Sequence, residues 1–380
     1  MPLRQIPLIA LLSLAGLAWF FCAPSKPATD DPPRPKSNVG SDATLAEKAE
    51  YCEEDIFANH LQEGLLIGPR VDPKGERLHS AENSGLRTGC LLSAMAYKFS
   101  VTRDERTRQR AGLLLGSLEL LEKVTGVPGL TARHYMRMNS PGPDEAGSWL
   151  AKHWHQAGPH RWVGDVSTDE MTFYLTGLGN YILLCGEHEK RERAAALVRR
   201  VVGRLLDHDM RITNADGSAT FYGDCSRQTP LEPLFCLHGL HYLKAAALLT
   251  SDKRLARAYK EYVGDEDYFR KAVHGYKGTL ASIQWATWDW QLAAASYEFL
   301  IRHDPGRSQQ FKQGLLEMAG APDATVFPHL CTALFGLGGG TQVTRWLEDF
   351  NPQNADGVGK GWYLWIYWKA RSANIVTPQR

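Results

Sequence analysis

Apolar residues recur at helical spacing along most of the chain after residue 80. The period is visible over 86–99, 106–124, 169–184 and 190–206. It returns over 231–249, 254–262, 288–302 and 309–318, and each stretch predicts a helix. Turn signals separate them, at Val127-Pro128-Gly129, Asn214-Ala215-Asp216-Gly217 and Asp304-Pro305-Gly306. No stretch after residue 80 strings together several alternating strands, so the expected class is all-α.

The predicted helices come in pairs. An apolar, small-residue-rich helix is followed by a short polar turn and a more charged helix, as in 169–184 with 190–206, 231–249 with 254–262, and 288–301 with 307–318. The pairs recur at roughly 50 to 60 residues, an architectural rather than a sequence repeat. A helix that is apolar all round is buried, and a one-faced helix lies outside. The pattern therefore predicts an α/α toroid, with inner helices opening into a funnel lined by the longer loops. An open solenoid is the alternative and would show a more regular repeat. The aromatic run Trp362–Trp368 predicts a final helix that seals the barrel.

The first residues follow another pattern. Arg4 precedes an apolar stretch, Ile6 to Ala23, interrupted only by Ser13. This reads as a signal peptide or signal anchor over 1–23. Bulky Trp19, Phe20 and Phe21 before Cys22 leave cleavage open, and about 18 apolar residues barely suffice to cross a bilayer. Residues 24–43 are rich in Pro, Ser, Asp and Lys and predict an extended, disordered linker. The toroid domain is expected over 44–380. The protein is expected to be exported, whether periplasmic, membrane-anchored or extracellular, and to touch a membrane only through its N-terminal segment.

Composition narrows the partners. The chain has 380 residues, 43% hydrophobic and 22% charged, with a formal net charge of +1. That balance gives no reason to expect nucleic acid or an anionic surface as a partner. Beyond Cys22 there are six cysteines, whose pairing sequence cannot choose. Cys185, Cys236 and Cys331 lie in apolar helical patterns and read as buried thiols.

The chemistry concentrates in residues 162–174, W-V-G-D-V-S-T-D-E-M-T-F-Y. Asp165 lies on a loop facing the predicted funnel and Asp169 in the first turn of the following helix; both are candidate catalytic carboxylates. Ser167-Thr168-Asp169-Glu170 also reads as a capping box, with Ser167 capping and Glu170 reaching back. Glycoside hydrolysis needs a second carboxyl group across the bond. Asp216 and Asp289 are the candidates, with Asp224 and Glu232 behind them. Aromatic rings stack on sugar faces while polar neighbours bind hydroxyls, which makes Trp154, Trp162, Trp288 and His155 candidate substrate-binding residues. Trp149, His153 and His160 belong to the same cluster. Arg133 and Tyr135 are the residue types a uronate lyase uses to neutralise a carboxylate and remove a proton. His238 and His241 share a helix face and read as core histidines. His153 and His155 lack a third ligand at a diagnostic spacing, 214–220 lacks a calcium-loop pattern, and Gly336–Gly340 follows no strand; no metal and no cofactor are expected.

Four segments carry a family resemblance. They are E-N-S-G-L-R-T at 82–88, V-T-G-V-P-G-L-T-A-R at 124–133, G-D-V-S-T-D-E-M-T at 164–172 and N-A-D-G-S-A-T-F-Y-G at 214–223. The chain resembles exported bacterial proteins, without assigned activity, of the six-hairpin glycosidase-like superfamily, over roughly residues 80 to 320. The resemblance implies an (α/α)6 barrel, a fold whose characterised members include hydrolases, lyases and epimerases acting on sugars. Two functions are carried forward. One is an exported carbohydrate-active enzyme, a glycoside hydrolase ahead of a polysaccharide lyase. The other is a non-catalytic, membrane-tethered glycan-binding or assembly protein on the same scaffold.

Overall fold

The computed structural model describes residues 39–40, 42–71, 77–80, 82–140, 149–228, 233–275, 286–321 and 324–379. All belong to one compact unit, Pro35–Arg380. The expected signal and most of the linker lie outside the described residues, as do Glu232 and the side chains of Trp149 and Trp288. No helix among the described residues is long and apolar enough to cross a membrane.

The protein is mostly helical. The thirteen described helices are α1 (Leu45–Asn59), α2 (Ser84–Thr102), α3 (Glu105–Lys123), α4 (Thr168–Asn180), α5 (His188–Asp207), α6 (Pro233–Thr250), α7 (Lys253–Gly264), α8 (Glu266–Val273), α9 (Ala286–His303), α10 (Ser308–Ala319), α11 (Val326–Leu334), α12 (Gly340–Asp349) and α13 (Gly357–Ser372). Side-chain caps start several of them. Thr44 and Glu47 form a reciprocal capping box at α1. Asp104, Asp252 and Asp356 cap α3, α7 and α13.

Burial separates two kinds of helix. α13 buries every residue from Gly357 to Ala370 except Gly359, and α2 buries all of Ser84 to Tyr97 except Arg87. α5 and α7 bury one stripe, Ala194, Leu197, Val198, Val201, Val202 and Leu205 in the first and Leu255, Ala258, Tyr259 and Tyr262 in the second. Their spacing is that of one helix face. α2 packs on α4, α4 on α6, α6 on α9, α9 on α11 and α11 on α13, and α13 packs on α2. Five of them carry the next helix in sequence on their flank, α3 on α2, α5 on α4, α7 on α6, α10 on α9 and α12 on α11, and α13 carries α1 from the other end of the domain.

The backbones of α2 and α4 approach closely. A Cβ on Gly89 would lie 2.2 Å from the Phe173 carbonyl oxygen, and one on Gly177 would lie 2.4 Å from that of Gly89. Two glycines facing each other let the backbones touch. At the other side, Lys369 of α13 is fully buried and its Nζ lies 2.5 Å from Glu298 Oε2 of α9, while Arg302 holds the second oxygen at 2.8 Å. Burial alone would raise the Glu298 pKa, but Lys369 and Arg302 outweigh it and hold the carboxyl at about 2.

The expectation of helices throughout needs one correction. Four small antiparallel sheets decorate the helices: β1 (Leu61–Gln62) with β2 (Leu65–Leu66), β3 (Gly68–Val71) with β4 (Arg77–Ser80), β5 (His134–Arg137) and β6 (Trp154–Ala157) on either side of β7 (His160–Val163), and β8 (Arg211–Thr213) with β9 (Ala219–Asp224). The predicted helix 169–184 ends in a π-helical turn, Tyr181–Cys185. The six cysteines from Cys52 to Cys331 are buried and unbridged.

Candidate functional site

Asp165 sits where two hairpins meet the start of α4. β7 runs between β5 and β6, with Trp162 opposite both Tyr135 and His155. The chain leaves β7 at Val163 and reaches α4 within a few residues. To turn there, Asp165 adopts φ +55, a left-handed conformation that aspartate tolerates better than most residues.

The backbone N–H, the backbone carbonyl and one carboxylate oxygen of Asp165 are hydrogen-bonded. Its N–H donates to Asn214 Oδ1 at 3.1 Å, and its carbonyl accepts from Arg133 Nε at 2.6 Å. Carboxylate Oδ1 accepts from the Phe221 N–H at 3.3 Å, and Oδ2 lies 3.9 Å from His153 Nε2. The side chain is 12% exposed. His153 titrates below the usual histidine range because burial disfavours its charged form, although Asp165 pulls the other way.

Arg133 organises this corner rather than presenting itself to solvent. It is 4% exposed. Besides Asp165, it donates from Nη1 to Asn83 Oδ1 at 2.7 Å and from Nη2 to Ser167 Oγ at 2.5 Å. One guanidinium thus ties together the N-cap residue of α2, the Asp165 loop and the N-cap residue of α4. Tyr135 is buried, and its hydroxyl donates to the Glu63 carbonyl at 2.9 Å. The two residues expected to serve a uronate are therefore both occupied inside the fold.

Glu170 differs from its expected role. Ser167 makes no side-chain cap bond to α4; its hydroxyl is held by Arg133. Glu170 reaches out of its own helix, and its Oε2 accepts from the Leu86 N–H of α2 at 2.9 Å. Oε1 has no hydrogen-bond partner among the described residues, and Arg133 Nη1 stands 3.7 Å away. Burial pushes the Glu170 pKa up to about 8, helped by the charge of Asp169 and opposed by Arg133, the Leu86 N–H and Arg87. A protonated carboxylic acid thus lies next in sequence to a half-buried aspartate, Asp169.

The other expected residues are dispersed. Asp216 is solvent-facing and accepts from the N–H and hydroxyl of Ser218, bonds that hold it below the usual carboxylate range. Asp289 is half-buried in the first turn of α9, a helix that packs on α4. Trp154 is partly buried, with the Arg161 guanidinium 4.6 Å above its ring. Trp162 is buried, and His155 stacks on it at 4.2 Å and faces solvent. Tyr135 and Trp162 alternate along four-residue strands, so one side of each strand is necessarily inward. His238 and His241 are wholly buried, as expected of core residues. Among the described residues, no group of three or more His, Cys, Asp or Glu is arranged to hold a metal ion.

Three contributors were not legible beforehand. Asn214, expected only as a turn residue, fixes the Asp165 backbone. Glu170 joins α4 to the Leu86 N–H of α2. Phe221 and Tyr222, consecutive on β9, stand 80% and 55% exposed beside Asp165. Two adjacent large aromatics followed by Gly223-Asp224 in a turn-rich segment are the signal that could have singled out the last pair. Comparison with protein-family models, curated proteins and solved structures gives no match for this chain.

Proposed function

We propose that the helices form a six-hairpin α/α toroid that acts on a poly- or oligosaccharide by glycoside hydrolysis. Asp165 is the acid/base residue, and Asp169 and Asp289 are the carboxylates at the mouths of the two facing helices. The observation that carries this reading is the hold of the β8–β9 hairpin on Asp165, whose N–H donates to Asn214 and whose carboxylate accepts from the Phe221 N–H, beside the exposed His155 and Phe221 rings. The packing order supports the toroid, since six helices follow one another and the last packs on the first. Membership of the six-hairpin superfamily is part of the same proposal. Hydrolysis stands ahead of lyase chemistry because Arg133 and Tyr135 are committed to internal bonds. Export through residues 1–23, and a linker over 24–43, belong to the same proposal.

The test is turnover. The full chain is incubated with neutral and uronate-containing polysaccharides, and new reducing ends and unsaturated products are followed. We expect reducing ends alone, with Asp165→Asn lowering the rate by about 100-fold or more at unchanged thermal stability. Asp165→Asn as active as the parent would remove Asp165 from the chemistry. The second reading is glycan binding without catalysis, favoured by the low exposure of the Asp165 carboxylate. It is established if the chain binds a glycan saturably and produces no new ends.

A further inference from the structure

We propose that the β8–β9 ribbon is a sugar-stacking platform, centred on Phe221, that extends the Asp165 site so that it takes a glycan chain rather than a single sugar. This rests on the carbohydrate reading above and adds the length class of the ligand.

The ribbon's shape is unusual for a connector. Thr220 and Gly223 turn inward, and Thr220 Oγ1 donates to the Ile212 carbonyl at 3.3 Å. Phe221 and Tyr222 between them are exposed. The pairing of β8 with β9 is irregular between Arg211 and Thr213, and such bulges re-aim side chains. Here the two consecutive rings meet edge to face, with centroids 4.6 Å apart. The result is a solvent-exposed aromatic corner.

Its position gives it a use. The Phe221 N–H donates to Asp165 Oδ1, so the residue that offers the ring also holds the proposed catalytic carboxylate. Asn214, at the other end of the same ribbon, holds the Asp165 N–H. His155 approaches from the neighbouring sheet: a Cβ on Gly164 would lie 3.2 Å from His155 Nε2 and 3.6 Å from Asn214 Oδ1. Exposed Asp216 and its partner Ser218 line the ribbon's turn with oxygens. An apolar face beside hydroxyl-binding oxygens suits the two sides of a pyranose ring. Two rings are far too small a surface for a stable protein interface, which buries about 800 Å² per partner. They are the right size for one sugar residue beyond the one at Asp165.

The experiment measures affinity against chain length. Cello-, malto- and chito-oligosaccharide ladders are titrated into the full chain, its Phe221→Ala and Phe221→Trp variants, and Asp165→Asn. Phe221 is exposed, so neither of its substitutions should disturb the core. We expect affinity for one ladder to rise with length. Phe221→Ala should remove that rise, roughly tenfold at the longest oligomer, and leave the monosaccharide unchanged; Phe221→Trp should restore it. A ladder that binds with the same length dependence in Phe221→Ala overturns the platform and leaves the carbohydrate reading standing. No binding by any ladder overturns both. A concentration-dependent dimer that Phe221→Ala dissolves assigns the corner to a second copy of the chain and overturns the proposal.

Discussion

A carboxyl group sealed between two helix ends keeps its proton, and Glu170 is in that position. Its folded pKa of about 8 lies above the ordinary 4.5. The folded state therefore binds one more proton than the unfolded state between those values. Stability from this group is complete below pH 4.5 and is lost as pH rises towards 8, by at most about 1.4 kcal/mol per unit. Glu170→Gln preserves shape and can still accept from the Leu86 N–H, but it carries no titrating proton. The urea midpoint of the wild type should fall relative to Glu170→Gln as pH goes from 5 to 8. A constant difference between the two proteins over that range would mean that Glu170 is ionised in the fold, paired with Arg133. The neighbouring Arg133 explains why a single residue type misleads: an arginine beside a histidine and a tyrosine looks like ligand-binding chemistry in sequence, whereas its three nitrogens are fully used in joining two helix caps and a loop.

At the scale of elements, long periodic helices were readable and short pieces were not. All eight periodic stretches correspond to helices, because ten or more residues with one dominant period leave little ambiguity. α1, α8, α11 and α12 went unread; α11 has nine residues with Pro328 in its first turn, and α8 has eight. The strands of the β5–β7–β6 sheet have four residues each, and their burial depends on the helices beneath rather than on alternation. For the same reason the acidic segment and the loop position of Asp165 were visible, while Asn214 and Phe221 as its partners were not. They come from a hairpin about 50 residues away in sequence, and no local pattern records such a contact. The α2–α4 seam allows an element-scale test in which two effects have opposite signs. Helix propensity alone makes Gly→Ala stabilising by about 1 kcal/mol. At Gly89 the new methyl would meet the Phe173 carbonyl at 2.2 Å, and forcing backbones apart costs about 1–3 kcal/mol or more. Gly89→Ala should therefore lower the melting temperature by several degrees. Gly116→Ala on α3, where nothing lies within 4 Å, should raise it. A Gly89→Ala protein at least as stable as its parent would show that the two helices have room to part.

The whole molecule combines buried groups whose titrations oppose one another. His134, His238 and His241 are fully buried, and burial drives each from 6.5 down to about 3. Neither His238 nitrogen has a hydrogen-bond partner among the described residues, and its ring stacks between Phe235 and Tyr242. Each histidine must take up a proton on unfolding below pH 6.5. The stability that it contributes by staying neutral is complete above 6.5 and is lost as pH falls towards 3. Three together give a slope of about 4 kcal/mol per pH unit. Glu170 acts in the other direction with about a third of that size, so the histidines dominate the acid side. The Glu298–Lys369 pair does not enter this window: its carboxyl is held at about 2, and its contribution is lost only as pH falls below 4.5 towards that value. The molecule should thus be most stable between about pH 6 and 7 and should begin to lose stability well above the range in which exposed carboxylates titrate. His238→Phe replaces an unpartnered imidazole with an apolar ring of similar shape in an aromatic stack. Its urea midpoint between pH 4.5 and 6.5 should depend on pH less steeply than the parent's, by about half of the net slope that three histidines opposed by Glu170 leave. Equal slopes would place His238 in contact with water or with a partner that stabilises its charge. The interior of α6 would then be a polar channel instead of a dry core.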